Sequence, residues 1–238
     1  IKAGPDLEKQ TAKGNTALIL ACQKGCHLCA RALLEAGAQI DTTDKFGFTA
    51  LMVSCELGHD LCVLALIKAG ANLDAQMQSG HTALMLSAQN GHDLCVRALI
   101  EAEADVGRQS AKGNTALILA CLRSHDQCAR ALIKAGANVD HENEHGQTAL
   151  FEACSAGYDL CVRALIKAGA DVNCARDDGC TALFEACEYG HHLCVRALIE
   201  AGAAEARDDR CTALLKACEY GHHLCVRALI EAGASFDQ

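Results

Sequence analysis

The sequence predicts an all-α protein in which a short helix-turn-helix unit is repeated as a solenoid. The tripeptide Thr-Ala-Leu recurs along the chain, starting at Thr16, Thr49, Thr82, Thr115, Thr148, Thr181 and Thr212. Hydrophobic residues make up 51% of the 238 residues, but aromatic residues only 3%. Small apolar side chains must therefore supply the core, which suits thin, closely packed helices better than one thick core.

The spacing of the threonines defines the repeats, because they are 33 residues apart five times and 31 residues apart once. A fixed period of this length is typical of stacked repeat architectures. We predict one array over 1–238, in which 1–15 is the end of a preceding repeat. Seven repeats follow, over 16–48, 49–81, 82–114, 115–147, 148–180, 181–211 and 212–238. The first four residues have the register of 67–70, so we expect the chain to start inside the second helix of an earlier repeat.

Each repeat contains the start and stop signals of two helices. The threonine is a typical N-cap, and the Ala, Leu and Cys residues after it predict a helix of about two turns. A glycine nine residues after the threonine can adopt the left-handed conformation that ends this helix. A second helix then runs through a Leu-Cys-Val-x-Ala-Leu-Ile pattern to a second glycine, and the polar residues that follow predict a turn or hairpin. Neither helix can bury its apolar face alone, so neighbouring repeats must share a continuous core.

These features resemble the ankyrin repeat family over essentially the whole chain. The period, the Thr-x-Leu start, the central Gly-His and the Ala-Gly-Ala after the second helix occur together in repeat after repeat. The resemblance implies an ankyrin-repeat solenoid of stacked helix-turn-helix units joined by β-hairpin-like turns. It further implies a curved stack, with a concave groove lined by the first helices and the hairpin tips.

Two residues depart from the family pattern where a helix should end. Ser124 replaces the mid-repeat glycine, and Glu103 replaces the glycine after the second helix. We expect Glu103 either to adopt the left-handed conformation, at a cost of about 1 kcal/mol, or to rearrange the turn. Repeat three is therefore the expected place for an irregularity.

Thirteen of the seventeen cysteines occupy two fixed positions, six and thirteen residues after the threonine. We predict that they face the core, where a free cysteine packs as a small hydrophobic residue. Cys180 and Cys211 precede a threonine at hairpin tips, exposed enough for oxidation or alkylation, and Cys174 also lies in a hairpin. Cys26 and Cys29 form a single CxxC, too small for a four-ligand zinc site. The recurring histidines belong to the repeat pattern, so we predict no metal and no cofactor.

Several function classes are disfavoured by what the sequence contains. It shows no phosphate-binding loop, nucleophile elbow or paired acids in a reaction motif, so we predict that the protein is not an enzyme. The net charge of −9 without a basic stripe argues against nucleic acid as a partner. No apolar stretch approaches the length of a membrane span. An odd number of cysteines without an export signal favours a reducing, cytoplasmic compartment.

The repeats differ at the hairpin tips and at positions four, seven and eight, counted from the threonine, which share one helical face. Residues 141–238 carry a net charge of −8, against −1 for 1–140. We predict two kinds of partner-binding residue in the groove. The apolar ones are Phe46, Phe48 and Leu57. Those of the acidic end are Glu152, Asp177, Asp178, Glu185, Glu188, Tyr189, Asp208, Asp209, Lys216, Glu219 and Tyr220.

Tyrosines in an acidic setting favour docking of Lys or Arg through charge pairing and cation–π contact. The same carboxylates could instead be solvated faces that only promote solubility. The leading hypothesis is a scaffold or adaptor that binds another protein, with a basic segment of the partner in the C-terminal groove. Two alternatives remain open: a structural subunit or spacer of a large assembly, and a regulatory domain of a larger enzyme or channel.

Overall fold

The structure, a computed structural model, describes residues 6–203 and 212–233. Over these ranges a short first helix alternates with a second helix of nine residues, which confirms the all-α prediction. In chain order the helices are α1 (Ala17–Gln23), α2 (His27–Glu35), α3 (Ala50–Leu57), α4 (Asp60–Lys68), α5 (Ala83–Gln89), α6 (Asp93–Glu101), α7 (Ala116–Leu122), α8 (Asp126–Lys134), α9 (Ala149–Ala156), α10 (Asp159–Lys167), α11 (Ala182–Glu188), α12 (His192–Glu200), α13 (Ala213–Glu219) and α14 (His223–Glu231).

The threonine of every repeat is the N-cap of its first helix. Its hydroxyl oxygen accepts a hydrogen bond from the backbone N–H three residues later. The donor–acceptor distance is 3.3 Å between Ile19 and Thr16, and 3.2 Å between Met52 and Thr49. Each such cap contributes about 1 kcal/mol, because it satisfies an N–H that the helix itself leaves unpaired.

The helices end in the left-handed conformation, as the glycine pattern predicts. Gly58 and Gly157, which cap α3 and α9, have φ angles of 72° and 78°. Glu103 and Ser124, which replace glycine, have φ angles of 65° and 64°. Glu103 thus takes the first of the two alternatives expected for it. Each of these two side chains carries a conformational cost of about 1 kcal/mol that glycine would avoid.

The chain divides into two compact units, 1–111 (unit 1) and 112–238 (unit 2). In unit 1 the first helices α1, α3 and α5 pack side by side, and so do the second helices α2, α4 and α6. Leu51 and Leu66 lie between these two layers and are at most 1% exposed. Unit 2 repeats the arrangement with α7, α9, α11 and α13 in one layer and α8, α10, α12 and α14 in the other. Leu150 and Leu165 are its equivalent buried leucines.

Eleven of the thirteen patterned cysteines are buried, as predicted, but Cys29 and Cys218 are exposed. The prediction was wrong for these two because it treated all repeats alike. Within each unit, these positions are covered where a helix pair of the neighbouring repeat packs against them. The described residues contain no helix pair before α1 and none after α14.

The turns between helix pairs follow one hydrogen-bond pattern. The N–H of Asp44 donates to the carbonyl of Phe48 at 3.0 Å, and the N–H of Gly47 donates back to Asp44 at 3.1 Å. Consecutive turns are also linked, since the N–H of Lys45 donates to the carbonyl of Lys13 at 3.2 Å. The β structure in the described residues is one isolated antiparallel bridge, which joins Ala175 to Thr181. None of the described helices combines the length and the apolar character that a membrane crossing requires.

Candidate functional site

In unit 1 the three predicted apolar residues lie together around one pocket. Phe46, Phe48 and Leu57 line a cavity of about 230 Å³, which we call the unit 1 pocket. Phe46 is 61% exposed and Leu57 45% exposed, while Phe48 is half-buried. The carboxylate of Asp44 fixes the turn that carries both rings, because it accepts hydrogen bonds from the N–H groups of Phe46 (2.8 Å) and Phe48 (2.9 Å). The remaining lining residues are Lys13, Asn15, Ile19, Gln23, Asp44, Val53 and Glu56.

Position four does not line a surface in every repeat, contrary to the prediction. Val53 and Leu86 in unit 1, and Leu119 in unit 2, are less than a tenth exposed. The helical face that carries positions four, seven and eight is therefore tilted, so that position four enters the edge of the core. A substitution at position four therefore affects packing in the core as well as the surface.

In unit 2, position four holds carboxylates on α9 and α11, which are neighbouring helices. Glu152 is half-buried, and Glu185 is only 8% exposed. Burial raises the pKa of Glu152, and the charge of Glu185 raises it further. Burial also raises the pKa of Glu185, opposed by a hydrogen bond with Ser155 and reinforced by the charge of Glu188. The two carboxylates are therefore close enough to interact electrostatically, and both are partly shielded from water.

Arg176, in the turn before α11, places a cation beside these carboxylates. Its guanidinium forms an ion pair with Asp178 and lies 5.0 Å from the centroid of the Phe151 ring. It lowers the pKa of Glu152 and of Glu185, but less than burial raises them. One guanidinium is thus shared among three carboxylates, and the exposed Asp177 adds a further negative charge.

Two exposed tyrosines follow α11 and α13. Tyr189 is 55% and Tyr220 52% exposed, and each stacks on a histidine, with 6.3 Å between the ring centroids of Tyr189 and His191. The charge of Glu185, then burial, then the charge of Glu188 raise the pKa of Tyr189. We call this region the unit 2 acidic surface, and its residues are Glu152, Asp177, Asp178, Glu185, Glu188, Tyr189, Lys216, Glu219 and Tyr220.

Repeats six and seven differ at position four, where one has Glu185 and the other Lys216. The ammonium of Lys216 lies 2.9 Å from a carboxylate oxygen of Glu219 and 5.4 Å from the centroid of the Tyr220 ring. Repeat seven therefore places its own cation between a carboxylate and a tyrosine. Repeat six has the corresponding carboxylate and tyrosine, Glu188 and Tyr189, but a second carboxylate in place of the lysine.

Some predicted residues lie elsewhere. Asp208, Asp209 and Cys211 are outside the described residues. Cys174 and Cys180 are half-buried, and burial raises the pKa of both thiols to about 11. The thiol of Cys174 also donates to a carboxylate oxygen of Glu142 at 3.4 Å. Cys180 is therefore less exposed and less acidic than the prediction of a reactive hairpin tip implies.

The sequence analysis missed a set of exposed leucines at position twelve, near the start of the second helices. They are between 43% and 58% exposed, and they are Leu28, Leu61, Leu94, Leu160, Leu193 and Leu224. Repeat four has Gln127 there instead. The Leu-Cys-Val pattern served only to place the second helix, although adjacent residues of a helix cannot all face the same way. The substitution by glutamine was the available signal that this position is exposed.

The histidines of the Gly-His motif join consecutive repeats. Nε2 of His92 donates to the carbonyl of Glu56 at 3.0 Å, and Nε2 of His191 to the carbonyl of Ser155 at 3.0 Å. Each ring lies over the glycine that ends the first helix of the previous repeat, since a Cβ added at Gly157 would clash with the ring of His191. In the described part of the chain, no group of three or more His, Cys, Asp or Glu side chains is placed to hold a metal ion.

Comparisons with known proteins agree with this architecture. A family model described as ankyrin repeats (three copies) matches residues 1–77, 34–110, 66–142, 84–176 and 161–238. The human ASB11 ankyrin repeat domain has a similar structure, with a TM-score of 0.81 and 25% identity over 92% of this chain and 98% of that one. An ankyrin repeat domain from Acinetobacter baumannii AYE has a TM-score of 0.73 and 34% identity over 78% of this chain and 97% of its own. A search of curated proteins finds no match.

Ankyrin repeat domains generally mediate protein–protein interaction, and their fold is typically a binding module without catalysis. The family matches extend over the whole chain, and the fold, the capping threonines and the glycine-ended helices recur in both units. The chain therefore belongs to the ankyrin repeat family.

Proposed function

We propose that the protein is a scaffold or adaptor that binds a basic segment of a partner protein on its unit 2 acidic surface. The observation that carries this proposal is the difference between repeats six and seven. In repeat seven, Lys216 of the chain itself lies against Glu219 and Tyr220. In repeat six, Glu188 and the exposed Tyr189 form the same pair beside Glu185, and a Lys or Arg of the partner would take the place of the missing lysine.

Charge and desolvation support the same partner chemistry. The raised pKa values of Glu152 and Glu185 mean that their ionised forms are under-solvated in the fold. An incoming cation would stabilise both carboxylates, while Tyr189 supplies an apolar face for the methylene groups of the partner's side chain. The unit 1 pocket would bind an apolar side chain of a partner by burial of Phe46 and Leu57.

The test is the affinity of a synthetic Arg- and Lys-containing peptide, measured by isothermal titration calorimetry at several salt concentrations. Affinity should fall as salt rises, because screening weakens the charge pairing. Glu185→Lys introduces the residue that repeat seven has at the same position and should weaken binding about tenfold or more, with circular dichroism as the check that the variant folds. The matched control is Lys216→Glu, which gives repeat seven the position-four side chain of repeat six and should strengthen binding or add a second site.

Unchanged affinity in Glu185→Lys would refute the proposal for this surface. A neutral peptide of the same length serves as the second control and should not bind. If the carboxylates act only as solvated faces, both charge variants will bind the basic peptide as the wild type does.

A structural subunit of a large assembly is the second candidate function, and the exposed leucines at position twelve favour it. In unit 2 these leucines are Leu160, Leu193 and Leu224, each about half exposed. Contact with water is unfavourable for an apolar side chain, so burial of these leucines against a permanent partner would be stabilising. Replacing all three with glutamine copies the natural Gln127 of repeat four. Loss of co-fractionation with a large complex from the source cell in this variant, but not in Glu185→Lys, would favour the structural role.

We also propose that the protein works in the cytoplasm. A protein whose core holds many free thiols suits a reducing environment such as the cytoplasm. A regulatory domain of a larger enzyme or channel remains an alternative, which the full-length sequence on either side of this chain would distinguish.

A further inference from the structure

Repeat seven exposes an apolar surface that its neighbour covers in repeat six. Cys218 is exposed, whereas Cys187, its equivalent in repeat six, is completely buried. Val226 is half-buried, whereas its equivalent Val195 is completely buried, and Ile230 is 50% exposed. These side chains line a cavity of about 410 Å³. We call this surface the C-terminal face, and its residues are Ala217, Cys218, Gly221, His223, Val226, Arg227, Ile230 and Glu231.

Repeat one exposes the opposite side of the same kind of helix pair. Cys29 and Ala32 are exposed, and Leu33 is half-buried, although the six leucines equivalent to Leu33 are at most 2% exposed. On the first helix Ala17 is exposed, whereas its equivalents are at most 4% exposed. Residues three or four apart lie on one side of a helix, so these side chains form one surface. We call it the N-terminal face, and its residues are Ala17, Ala21, Cys29, Ala32 and Leu33.

The two faces match the two sides of the interface between repeats six and seven. There α13 packs on α11 and α14 packs on α12. Repeats six and seven agree at 22 of 24 positions, over 180–203 and 211–234, so repeat seven has nearly the packing surface of repeat six. Helix α2 differs from α14 only at Ala30 and Leu34. These two residues are the equivalents of Val226 and Ile230, so the side of α2 that carries Cys29 is unchanged from α14.

The charges at the edges of the two faces are also complementary. In unit 2 the guanidinium of Arg163 lies 3.9 Å from the carboxylate of Glu200 in the next repeat. Arg227 at the C-terminal face and Glu35 beside the N-terminal face occupy the same two repeat positions. Both are exposed, and each also pairs with a residue of its own helix. Opposite charges would therefore meet if the two faces came together.

We propose that the C-terminal face binds the N-terminal face of a second copy of this chain, so that copies associate head to tail. The contact continues the packing that the chain already uses between its own repeats. It is heterologous, because each copy contributes a different face. A pair of copies therefore keeps one free face of each kind, to which a third copy can bind. This association does not depend on the basic partner proposed for the unit 2 acidic surface.

One difference makes the contact between copies weaker than the contact within the chain. Between repeats six and seven, Nε2 of His222 lies 2.9 Å from the carbonyl oxygen of Glu188, and its ring lies over Gly190. Repeat one has Cys26 at the histidine position, and no atom lies within 4 Å of a Cβ added at Gly221. The contact between copies lacks this hydrogen bond, so we expect a reversible association that depends on protein concentration.

The test is sedimentation velocity of the purified chain, with a thiol reductant present to prevent disulfides between copies. Over about a hundredfold range of protein concentration, the sedimentation coefficient should rise as dimers and then longer complexes form. Ile230→Glu places a carboxylate on the C-terminal face, and Ala32→Glu places one on the N-terminal face. Both positions are exposed, and circular dichroism checks that the variants fold. Each change should weaken association about tenfold or more, because it puts a charge in an apolar contact.

The matched control is Leu224→Glu. Leu224 lies on the same helix as Ile230 and is 43% exposed, but it is at position twelve. Leu193, its equivalent in repeat six, stays 47% exposed beside repeat seven, so this position lies outside the interface. Leu224→Glu should therefore associate as the wild type does.

A mixture of the two face variants separates head-to-tail association from any other kind of dimer. The Ile230→Glu chain keeps its N-terminal face, and the Ala32→Glu chain keeps its C-terminal face. The mixture should therefore form dimers that contain one chain of each variant, and nothing larger. A wild type that sediments as a monomer at every concentration would overturn the proposal. So would a mixture that associates no better than its separate components.

Cys26→His tests the contact in the opposite direction. The backbone of Cys26, with φ −81° and ψ 77°, matches that of His92, with φ −84° and ψ 76°, so the start of α2 accepts a histidine. The new ring would lie over Gly221 of the other copy, and association should become about tenfold tighter. Gly221→Ala should remove this gain, because its Cβ would clash with the ring. Equal association of wild type and Cys26→His would contradict the proposed contact.

Discussion

Unit 1 and unit 2 use the same helix pair but place different chemistry at the fourth residue of the first helix. In unit 1 this residue is aliphatic, and Val53 and Leu86 are buried at the edge of the core. Unit 2 keeps a buried leucine there in its first repeat, Leu119, but has Glu152 and Glu185 in the next two repeats, and Glu185 is buried as deeply as Val53. The difference shows that the repeat tolerates a poorly solvated carboxylate where it otherwise places an apolar side chain. The cost appears as raised pKa values rather than as a changed fold.

The largest expected effect tests whether the two cores are equivalent. Leu51→Ala in unit 1 and Leu150→Ala in unit 2 each remove a leucine that is 1% exposed and lies at the same register. Each should lower the free energy of unfolding by about 2 to 5 kcal/mol, because a cavity is left in a packed core. Urea denaturation followed by circular dichroism measures both. A difference of more than about 2 kcal/mol between them would show that the two cores are not equivalent.

The next effect comes from exchanging position four between the units. Val53→Glu places a carboxylate at the edge of the unit 1 core, where we expect a loss of about 1 to 3 kcal/mol. The reverse change, Glu185→Val, should stabilise unit 2 at neutral pH because it removes a buried charge. Both are measured by urea denaturation. If Val53→Glu costs nothing, position four is equally well solvated in both units and the comparison fails.

A smaller effect tests the contact between a glycine and the histidine of the next repeat. Gly157→Ala and Gly221→Ala share the left-handed strain of about 1 kcal/mol, since both glycines have positive φ. Only Gly157→Ala pushes a Cβ into the ring of His191, because no atom lies within 4 Å of a Cβ at Gly221. The additional loss should be about 1 kcal/mol if the His191–Ser155 bond breaks. Gly58→Ala, which meets His92 in unit 1, should match Gly157→Ala. Equal losses in Gly157→Ala and Gly221→Ala would mean that the ring simply moves aside.

The smallest effect is the pH dependence that Glu185 adds to unit 2. Its pKa is raised in the folded state, so the fold binds this proton more tightly than the unfolded chain does. Ionisation of Glu185 therefore lowers stability as pH rises above its ordinary value of 4.5. Glu185→Gln should raise the Tm near pH 7 and change it little near pH 4, where the carboxyl is protonated in both states. A Tm difference that is independent of pH would contradict this assignment.

Much of the fold could be predicted because the residues that start and end each helix act locally. The capping threonines and the glycines at helix ends act through their own backbone, so Thr16 or Gly58 can be interpreted without knowledge of their neighbours. Glu103 could be assigned two conformations from sequence, and the structure selects the left-handed one. Burial is different because it depends on the neighbouring repeat. That is why Cys29 and Cys218, which occupy the same repeat positions as buried cysteines, were assigned wrongly.

The candidate site was less predictable for the same reason. Helical periodicity placed Glu185 on a surface, but the tilt of that face towards the core follows from how the first helices pack. The partnership of Lys216 with Glu219 and Tyr220 requires side-chain geometry. Position twelve could have been found, since a glutamine at 127 among leucines elsewhere is visible in the sequence.

The contact between a histidine ring and the glycine of the previous repeat makes the repeats less interchangeable than their sequences suggest. Four glycines that end a first helix lie against the histidine that precedes the second helix one repeat later, as in Gly58 with His92 and Gly157 with His191. Repeat four has Ser124 at the glycine position, and at the histidine position repeat one has Cys26 and repeat five has Tyr158. The unit of inheritance that keeps such a pair intact spans the boundary between two repeats. The two partners are 34 residues apart, as in Gly157 and His191, so a copied segment of one 33-residue repeat cannot contain both of them.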